Sequence, residues 1–466
     1  MKKAATLLLV FLMLLSFLGC SKAGDSKTDA TKAASPTLQV GYGRSAFTPK
    51  SNVKITNHGQ TTSSAIYGDV FITCIALTDA DGETVLLFTC DMIRCPDNMR
   101  ISLLRDAEEA TGVSAENMIF AVTHNHNGPN PSAVSAELKK AIIAASTQAM
   151  EDRSAATVCA GTAYTEGLNF VRHYEKEDGA WYGAAYTSAS SAPLKNHEAD
   201  PDNAMQLLRF DREGKKSVLM VNWQAHAVYT YDTDVLSADY IGVVRRNVEE
   251  GSDCLFAFFQ GAAGNLAPTS LIKSLNKHET QSIGGVEAYG KSVAQVAIDA
   301  LPTLQPVNAE GIDISKSSYT AAVRQDSTDY LDAITKFEEV INAGGTVQEA
   351  VIASGDMVHS TISCTFPPMR KQLGASQEIP LVALRLGEIG FVSVPYEMFD
   401  TSGMYVKENS PFTMTMILGY TGVHAYIPTA ACIAHTCYEW ECGYYDAGTA
   451  EALAEDYVAL LNTLPH

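Results

Sequence analysis

Two histidines separated by one residue stand where an apolar run stops. Ile119-Phe120-Ala121-Val122-Thr123 is β-prone and leads straight into His124-Asn125-His126-Asn127-Gly128-Pro129, which carries turn chemistry. Neutral imidazole is the commonest protein metal ligand, and residues i and i+2 of a strand share a face. The pair reads as half of a metal site at a strand's mouth; two exposed loop histidines are the plain alternative. A second apolar run, 217–223, delivers His226 three residues past its end. A third, 390–394, is followed by Pro395-Tyr396-Glu397. A buried, unpaired glutamate is costly, so Glu397, if buried, wants a metal or a cationic partner. Taken singly, His226 reads equally as a core histidine bonded to backbone, and Glu397 as a solvated helix-start residue. Tyr426 in Ala425-Tyr426-Ile427-Pro428-Thr429, and Tyr438-Glu439 beyond it, complete the set; tyrosines alone more often pack than ligate.

The stretches between these residues alternate between two periods. Apolar runs of strand length lie at 70–77, 84–89, 118–123, 156–160, 217–223, 254–259, 381–386, 390–394 and 413–418. Amphipathic stretches of helical length lie at 97–111, 135–151, 241–249, 287–300, 327–343 and 449–461. Gly112 fits a helix C-cap, and Gly387-Glu388-Ile389-Gly390 reads as a hairpin turn. This alternation predicts an α/β to mixed α+β fold with the active site at the C-terminal ends of strands. No linker composition interrupts 38–466, so a single large catalytic domain is expected there. The polar stretch 174–203 is a candidate lid.

Composition narrows the function. The chain has 466 residues, 46% of them hydrophobic, with net charge −20 and pI near 4.9. That suffices for a large core, and the acidic balance argues against nucleic acid as a partner. Lys2 and Lys3 precede a nearly continuous apolar run over 4–15, and Ser16-Phe17-Leu18-Gly19-Cys20 follows. This layout predicts a signal peptide over 1–20, too short for a comfortable membrane span. Its terminal Gly-Cys resembles a bacterial lipoprotein signal. The resemblance implies export, cleavage before Cys20 and a diacylglyceryl anchor on its sulfur, hence a cell-surface lipoprotein held to a bacterial membrane; ordinary secretion is the alternative. Residues 21–37 are small and polar and read as a flexible tether. Cys74, Cys90, Cys159 and Cys254 sit in apolar runs and read as buried thiols. A disulfide among Cys432, Cys437 and Cys442 is left open, because their spacing is not that of a structural zinc site. His58, His173, His197, His278, His359 and His435 lack a ligand-like context and read as surface or helix residues, with His173 placed to line the cleft beside Arg172.

In combination these motifs resemble the catalytic domain of the neutral, non-lysosomal ceramidase family, in the family's order and over about residues 40–450. Thr123-His124-Asn125-His126-Asn127-Gly128-Pro129 matches its Thr-His-x-His-x-Gly-Pro segment, and His226 its second zinc histidine. Ser237-Ala238-Asp239 with Gly242, Pro395-Tyr396-Glu397, Tyr426 to Thr429, and Tyr438-Glu439 match further motifs. The resemblance implies one zinc ion per chain held by His124, His226, Glu397 and Tyr426. It places His126 and Tyr438 beside the scissile group, with Arg172 of Asn169-Phe170-Val171-Arg172 as the active-site arginine. Asp91 and Asp239 are expected to support the ligands from behind. Two departures stand out. The family's Gly-Asp-x-Ser-Pro segment reads Gly264-Asn265-Leu266-Ala267-Pro268 here, so its serine hydroxyl is missing. The sequence also stops soon after the last motif, which leaves no room for the family's C-terminal immunoglobulin-like domain.

The expected chemistry is therefore hydrolysis of an amide, ceramidase-like, by zinc-activated water rather than by a serine. The expected substrate is an N-acyl sphingosine or a related N-acyl lipid. His126 would move protons, and Tyr438 and Arg172 would stabilise the oxyanion. The alternatives are a zinc hydrolase of another ester, N-acyl or cell-wall substrate, and a surface binding lipoprotein with a degenerate site. Oligomeric state is not specified by the sequence.

Overall fold

The structure is a computed structural model that describes residues 38–56, 61–183, 189–435 and 437–466. The signal peptide expected over 1–20, its Cys20, the tether over 21–37 and His58 lie outside those residues.

The strands are covered on both sides, which is why their apolar runs are continuous rather than alternating. The larger sheet has nine strands. Its path runs Cys254–Gln260, Ser217–Trp223, Ala204–Arg212, Ser154–Tyr164, Gln39–Ala46, Phe71–Thr78, Thr84–Cys90, Met118–Val122, with Gln305–Val307 pairing separately on Ser154–Tyr164. The two outermost pairs on this path are parallel and the inner pairs antiparallel. A second sheet orders Ile312–Ala322, Ser376–Leu386, Ile389–Ser393 and Met414–Leu418. One face of each sheet meets the other: Ile75, Leu77, Leu87, Phe210 and Met220 pack with Leu384, Phe391 and Met416 in one cluster. The opposite face of the large sheet carries helices. Leu86 and Phe88 pack under Asp97–Thr111 and Ser135–Glu151, while Leu219, Val221 and Phe256 pack under Asp239–Gly251 and Ile283–Ala300. Thr449–Leu461 covers the outer face of the second sheet through Leu453, Ala454 and Tyr457. The result is four layers: helix, sheet, sheet, helix. Among the described residues no helix is long and apolar enough to cross a membrane.

The strongly periodic elements fall where the sequence puts them. Asp97–Thr111, Ser135–Glu151, Ser217–Trp223 and Thr449–Leu461 match to the residue, and Gly112 caps its helix at φ +74. The hairpin at Gly387 joins Ser376–Leu386 to Ile389–Ser393. Three long strands of the two main sheets escape the sequence reading, along with the short ones. Gln39–Ala46 contains two glycines, Ala204–Arg212 mixes polar with apolar residues, and Ile312–Ala322 is a largely polar edge strand. The 174–203 stretch is not a bare lid loop. It contributes His173–Lys176, Trp181–Gly183 and Leu194–His197 to a small antiparallel sheet.

The glycines of the first strand are needed for packing. A Cβ at Gly43 would overlap the Ala145 carbonyl and press on Ala149 of the Ser135–Glu151 helix. Gly43→Ala should destabilise the protein by roughly 2–3 kcal/mol through overpacking. Equilibrium denaturant unfolding measures this, and an unchanged midpoint would contradict so close a strand–helix contact.

Candidate metal centre and active site

Four chain segments bring polar side chains together, and each leaves the C-terminal end of a strand. His124 follows Met118–Val122, His226 follows Ser217–Trp223, Glu397 follows Ile389–Ser393, and Tyr420 follows Met414–Leu418. The pleat argument for His124 and His126 does not hold, because the strand has ended before them. His124 instead adopts a left-handed backbone, φ +57, and so does Tyr420, φ +59, whose ring stacks on His124 with centroids 4.2 Å apart. Bulky residues rarely take this conformation, and such strain persists where the surroundings over-determine it. Here the turn is pinned by backbone bonds from Val122 to the Tyr420 carbonyl, Asn125 to Met92, and His126 to Ala227.

The imidazoles are oriented from behind by main chain. The ring of His124 bonds the Ile93 carbonyl through Nδ1 at 3.0 Å, and that of His226 bonds the Ala263 carbonyl at 2.6 Å. A carbonyl only accepts, so each Nδ1 carries the proton and each Nε2 of the neutral ring is bare. Both bare nitrogens face one carboxylate oxygen. Glu397 Oε2 lies 3.2 Å from His124 Nε2 and 3.4 Å from His226 Nε2, is buried, and has no hydrogen-bond partner. Lone pairs therefore point at lone pairs unless protons or a cation lie between. Burial and the Arg172 charge push His226 down to about 4, so it carries no second proton at neutral pH. Burial works to raise the Glu397 carboxyl, and only positive charge at the two rings, a ring proton or a cation in its place, outweighs burial and holds the group well below the usual carboxylate range.

These atoms fit a metal. Tetrahedral zinc at about 2.0–2.1 Å from nitrogen and oxygen ligands puts those ligands about 3.4 Å apart. The Glu397 distances match, and the Tyr426 hydroxyl stands 3.2 Å from His226 Nε2. Glu397 and Tyr426 are also direct register partners in a two-residue parallel ladder, so one backbone pairing places both. Burial, then the Glu397 charge, keeps the Tyr426 phenol well above its ordinary range. His126 is the half-buried member of the group. Its Nε2 is 3.2 Å from His124 Nε2, and Tyr231 packs edge-on against its ring.

Gly264-Asn265-Leu266-Ala267 turns out to be a backbone hub. The Leu266 carbonyl accepts from the His226 amide, the Asn265 carbonyl from the Arg172 amide, and the Gly264 amide donates to Met398. A Cβ at Gly264 would sit 2.6 Å from the Glu397 carbonyl oxygen. The Asn265 side chain donates to the Asp400 carboxylate and accepts from the Asp400 amide, which ties the same loop to the helix after Glu397. The support expected from Asp91 is supplied elsewhere. Its carboxylate is taken by Arg245, at 2.8 Å to each oxygen, and by the Phe71 amide, while the carbonyls of Ile93 and Ala263 orient the histidines. Asp239, at φ +51, accepts from the amides of Tyr229, Thr230 and Tyr240, and so shapes the loop after His226 without touching an imidazole.

Beside the histidines lies a buried charge cluster that the sequence reading largely missed. Arg172 donates to Glu439 at 2.7 Å, His173 bridges Glu439 and Glu198 at 2.7 Å each, and His435 is 3.2 Å from Glu198. Burial would lower His173, but the two carboxylates outweigh it and raise the ring to about 9. Burial would raise Glu439, but His173 and Arg172 hold it at about 2. The Arg172 guanidinium also lies over the Tyr426 ring, 5.4 Å from its centroid. Tyr438 and Tyr426 rings stand edge to face, with centroids 6.0 Å apart. Thus His173 and His359 are buried and His435 is partly so, not surface residues. Cys432 and Cys437 form a disulfide packed against Phe399, Tyr426 and Trp440. Cys74, Cys90, Cys159 and Cys254 are free and buried, as expected.

Two outcomes follow from this geometry. Gly264→Ala should lower metal affinity by about 10-fold or more, the usual scale for displacing support behind a ligand; competition with a zinc chelator reads it. The His173 charge supports the fold fully below pH 6.5, and that support is lost as pH rises through about 9. His173→Gln should therefore cost roughly 3 kcal/mol at pH 6, the scale for breaking a buried pair, and progressively less above pH 9. A penalty that stays constant across this range in denaturant unfolding would refute the charged assignment.

No family model matches this chain, and no curated protein sequence matches it. Solved structures do. A ceramidase complexed with C2 aligns at TM-score 0.66 and 15% identity, over 92% of this chain and 76% of that one. The neutral ceramidase from Pseudomonas aeruginosa aligns at TM-score 0.68 and 15% identity, over 92% of this chain and 75% of that one. At that identity the agreement concerns the course of the backbone, and by that measure the chain has the fold of the neutral ceramidases.

Proposed function

We propose that this protein is a zinc-dependent amidohydrolase, with one zinc per chain and a ceramide-like N-acyl lipid as substrate. The observation that carries the reading is the buried, unbonded Glu397 Oε2 facing two bare imidazole nitrogens. The ceramidases that share the fold, one of them complexed with C2, support the choice of an acyl amide. His124, His226, Glu397 and Tyr426 would hold the metal. When bound, zinc supplies an activated water and polarises the substrate carbonyl.

The chain's own groups do the rest. His126 Nε2 takes a proton from the attacking water and returns it to the leaving nitrogen. The ring suits this because it is half-buried rather than sealed in, stands 3.2 Å from the His124 ring, and is fixed by its Ala227 backbone bond. The Tyr438 phenol, its proton kept on by burial, donates to the carbonyl oxygen, and the permanent charge of Arg172 favours the negative charge that develops there. No hydroxyl is required at position 267, whose backbone pairs with Phe170. The reading extends to the rest of the chain: an exported lipoprotein anchored through Cys20, with a single catalytic domain over 38–466.

Elemental analysis of residues 21–466 beside His124→Ala and His226→Ala tests the centre. About one zinc in the parent, lost with activity in both variants, is the expected result. His126→Ala should keep its zinc and lose about 10²–10⁴ in rate. An N-acyl and ester substrate panel, beginning with ceramide, then fixes the substrate. A parent without zinc after reconstitution at neutral pH would sink the hydrolase reading and leave a binding lipoprotein.

A further inference from the structure

The segment from Tyr426 to Gly443 carries a proposed metal ligand, a proposed oxyanion donor and the anchor of Arg172, yet it has little regular structure of its own. Its helices are Ala430–Ile433 and Tyr438–Cys442, of four and five residues. Helices that short are not stable alone. What holds the segment is tertiary. Arg324 donates to the Trp440 carbonyl at 2.7 Å, and Arg370 to the carbonyls of Glu441 and Gly443 at 3.0 and 2.9 Å. These bonds grip the far end of the second helix. The near end, where Tyr438 and Glu439 sit, is gripped by the Cys432–Cys437 bond.

That disulfide lies at the centre of the site's supports. Both sulfurs are buried, and they pack with Phe399, two residues past Glu397, and with Tyr426 and Trp440. Cys432 Sγ is 3.8 Å from His173 Nδ1, the ring that bridges Glu439 and Glu198. Cys437 immediately precedes Tyr438. The covalent bond thus fixes the start of the helix whose first residue packs its ring edge to face on Tyr426 and whose second neutralises Arg172 and His173.

We infer that Cys432 and Cys437 are a positioning pair for the reaction proposed above: their disulfide sets Tyr438 and, through Glu439, Arg172, so that reduction lowers turnover while the metal stays bound. The inference rests on that reading of the site. The step is balanced by a dithiol or phosphine reductant, which supplies two electrons as the S–S bond breaks, with two protons taken from water to leave two thiols. The ring closed by Cys432 and Cys437 is short, so opening it returns less entropy to the unfolded chain than opening a long loop would, and the midpoint of so large a domain shifts only slightly. Its effect is local.

The test is steady-state kinetics on the metal-loaded protein before and after a phosphine reductant, with thiol titration and zinc analysis of each sample. Two new thiols should accompany a roughly 10- to 100-fold fall in kcat, the scale for a misplaced catalytic group. KM, zinc content and thermal midpoint should hardly move, and reoxidation should restore the rate. The Cys432→Ala/Cys437→Ala double variant should sit at the reduced level and ignore reductant. Hydrogen exchange over residues 437–443 gives a readout free of activity: protection should fall on reduction. If the protein hydrolyses no acyl amide, the functional reading fails while exchange still decides the role of the disulfide. Unchanged rate with two new thiols overturns the inference. So does unchanged exchange protection, or uptake of a second zinc by the released thiols with His173 and Glu439 at full rate.

Discussion

A buried carboxylate oxygen without a hydrogen-bond partner, 3.2 and 3.4 Å from two imidazole nitrogens, is costly unless positive charge lies between them. That arrangement at Glu397, His124 and His226 is the constraint from which the rest of the site follows. It calls for positive charge among the three groups, and their spacing fits a metal ion. It also demands that the three groups be held so firmly that they cannot turn away and satisfy themselves with water. The fold meets the second demand with backbone. Carbonyls of Ile93 and Ala263 hold the rings, left-handed residues at His124 and Tyr420 hold the turns, and the ladder between Glu397 and Tyr426 sets the remaining two side chains in register.

Charge is balanced in two shells. Around the candidate metal the donors are neutral rings, one carboxylate and one phenol. Behind them, Arg172 and His173 are matched by Glu439 and Glu198. Arg172 belongs to both shells, because it bonds Glu439 on one side and lies over the Tyr426 ring on the other. Without Glu439, a buried guanidinium beside Tyr426 would compete with any metal for that phenol and raise the cost of placing a cation there. Glu439 therefore makes it possible for a cationic donor and a metal to share one pocket.

The sequence displayed the donors and concealed their supports, for a physical reason. Histidine, glutamate and tyrosine at strand ends are unusual enough to be noticed, and the long two-sided strands and amphipathic helices carry strong periodicity. Supports made of backbone leave no side-chain signal. Nothing in Ile93, Ala263 or Leu266 announces that its carbonyl seats a histidine or its amide. Asp91 has the residue type of a support, but its carboxylate is spent on Arg245. His173 and His435 looked like surface residues because their partners, Glu198 and Glu439, are distant in sequence and met only through the fold. The strands at Gln39–Ala46 and Ile312–Ala322 were hidden for a related reason: glycines chosen for close approach, and polar residues on an exposed face, both weaken the apolar period.

The segment 264–268 shows how a motif can lose its most noticed side chain and keep its work. Its hydroxyl is absent, yet its main chain contacts three of the functional elements at once: the His226 amide through Leu266, the Arg172 amide through Asn265, and the strand of Glu397 through Gly264. A glycine is required where that close approach occurs, and an asparagine where Asp400 must be both donated to and accepted from. Position 267 pairs only its backbone with Phe170, so its side chain is free to vary without disturbing the hub. A metal-dependent route here accordingly does not depend on the missing serine. It rests on the three elements this loop binds together, whose side chains converge on one unsatisfied oxygen.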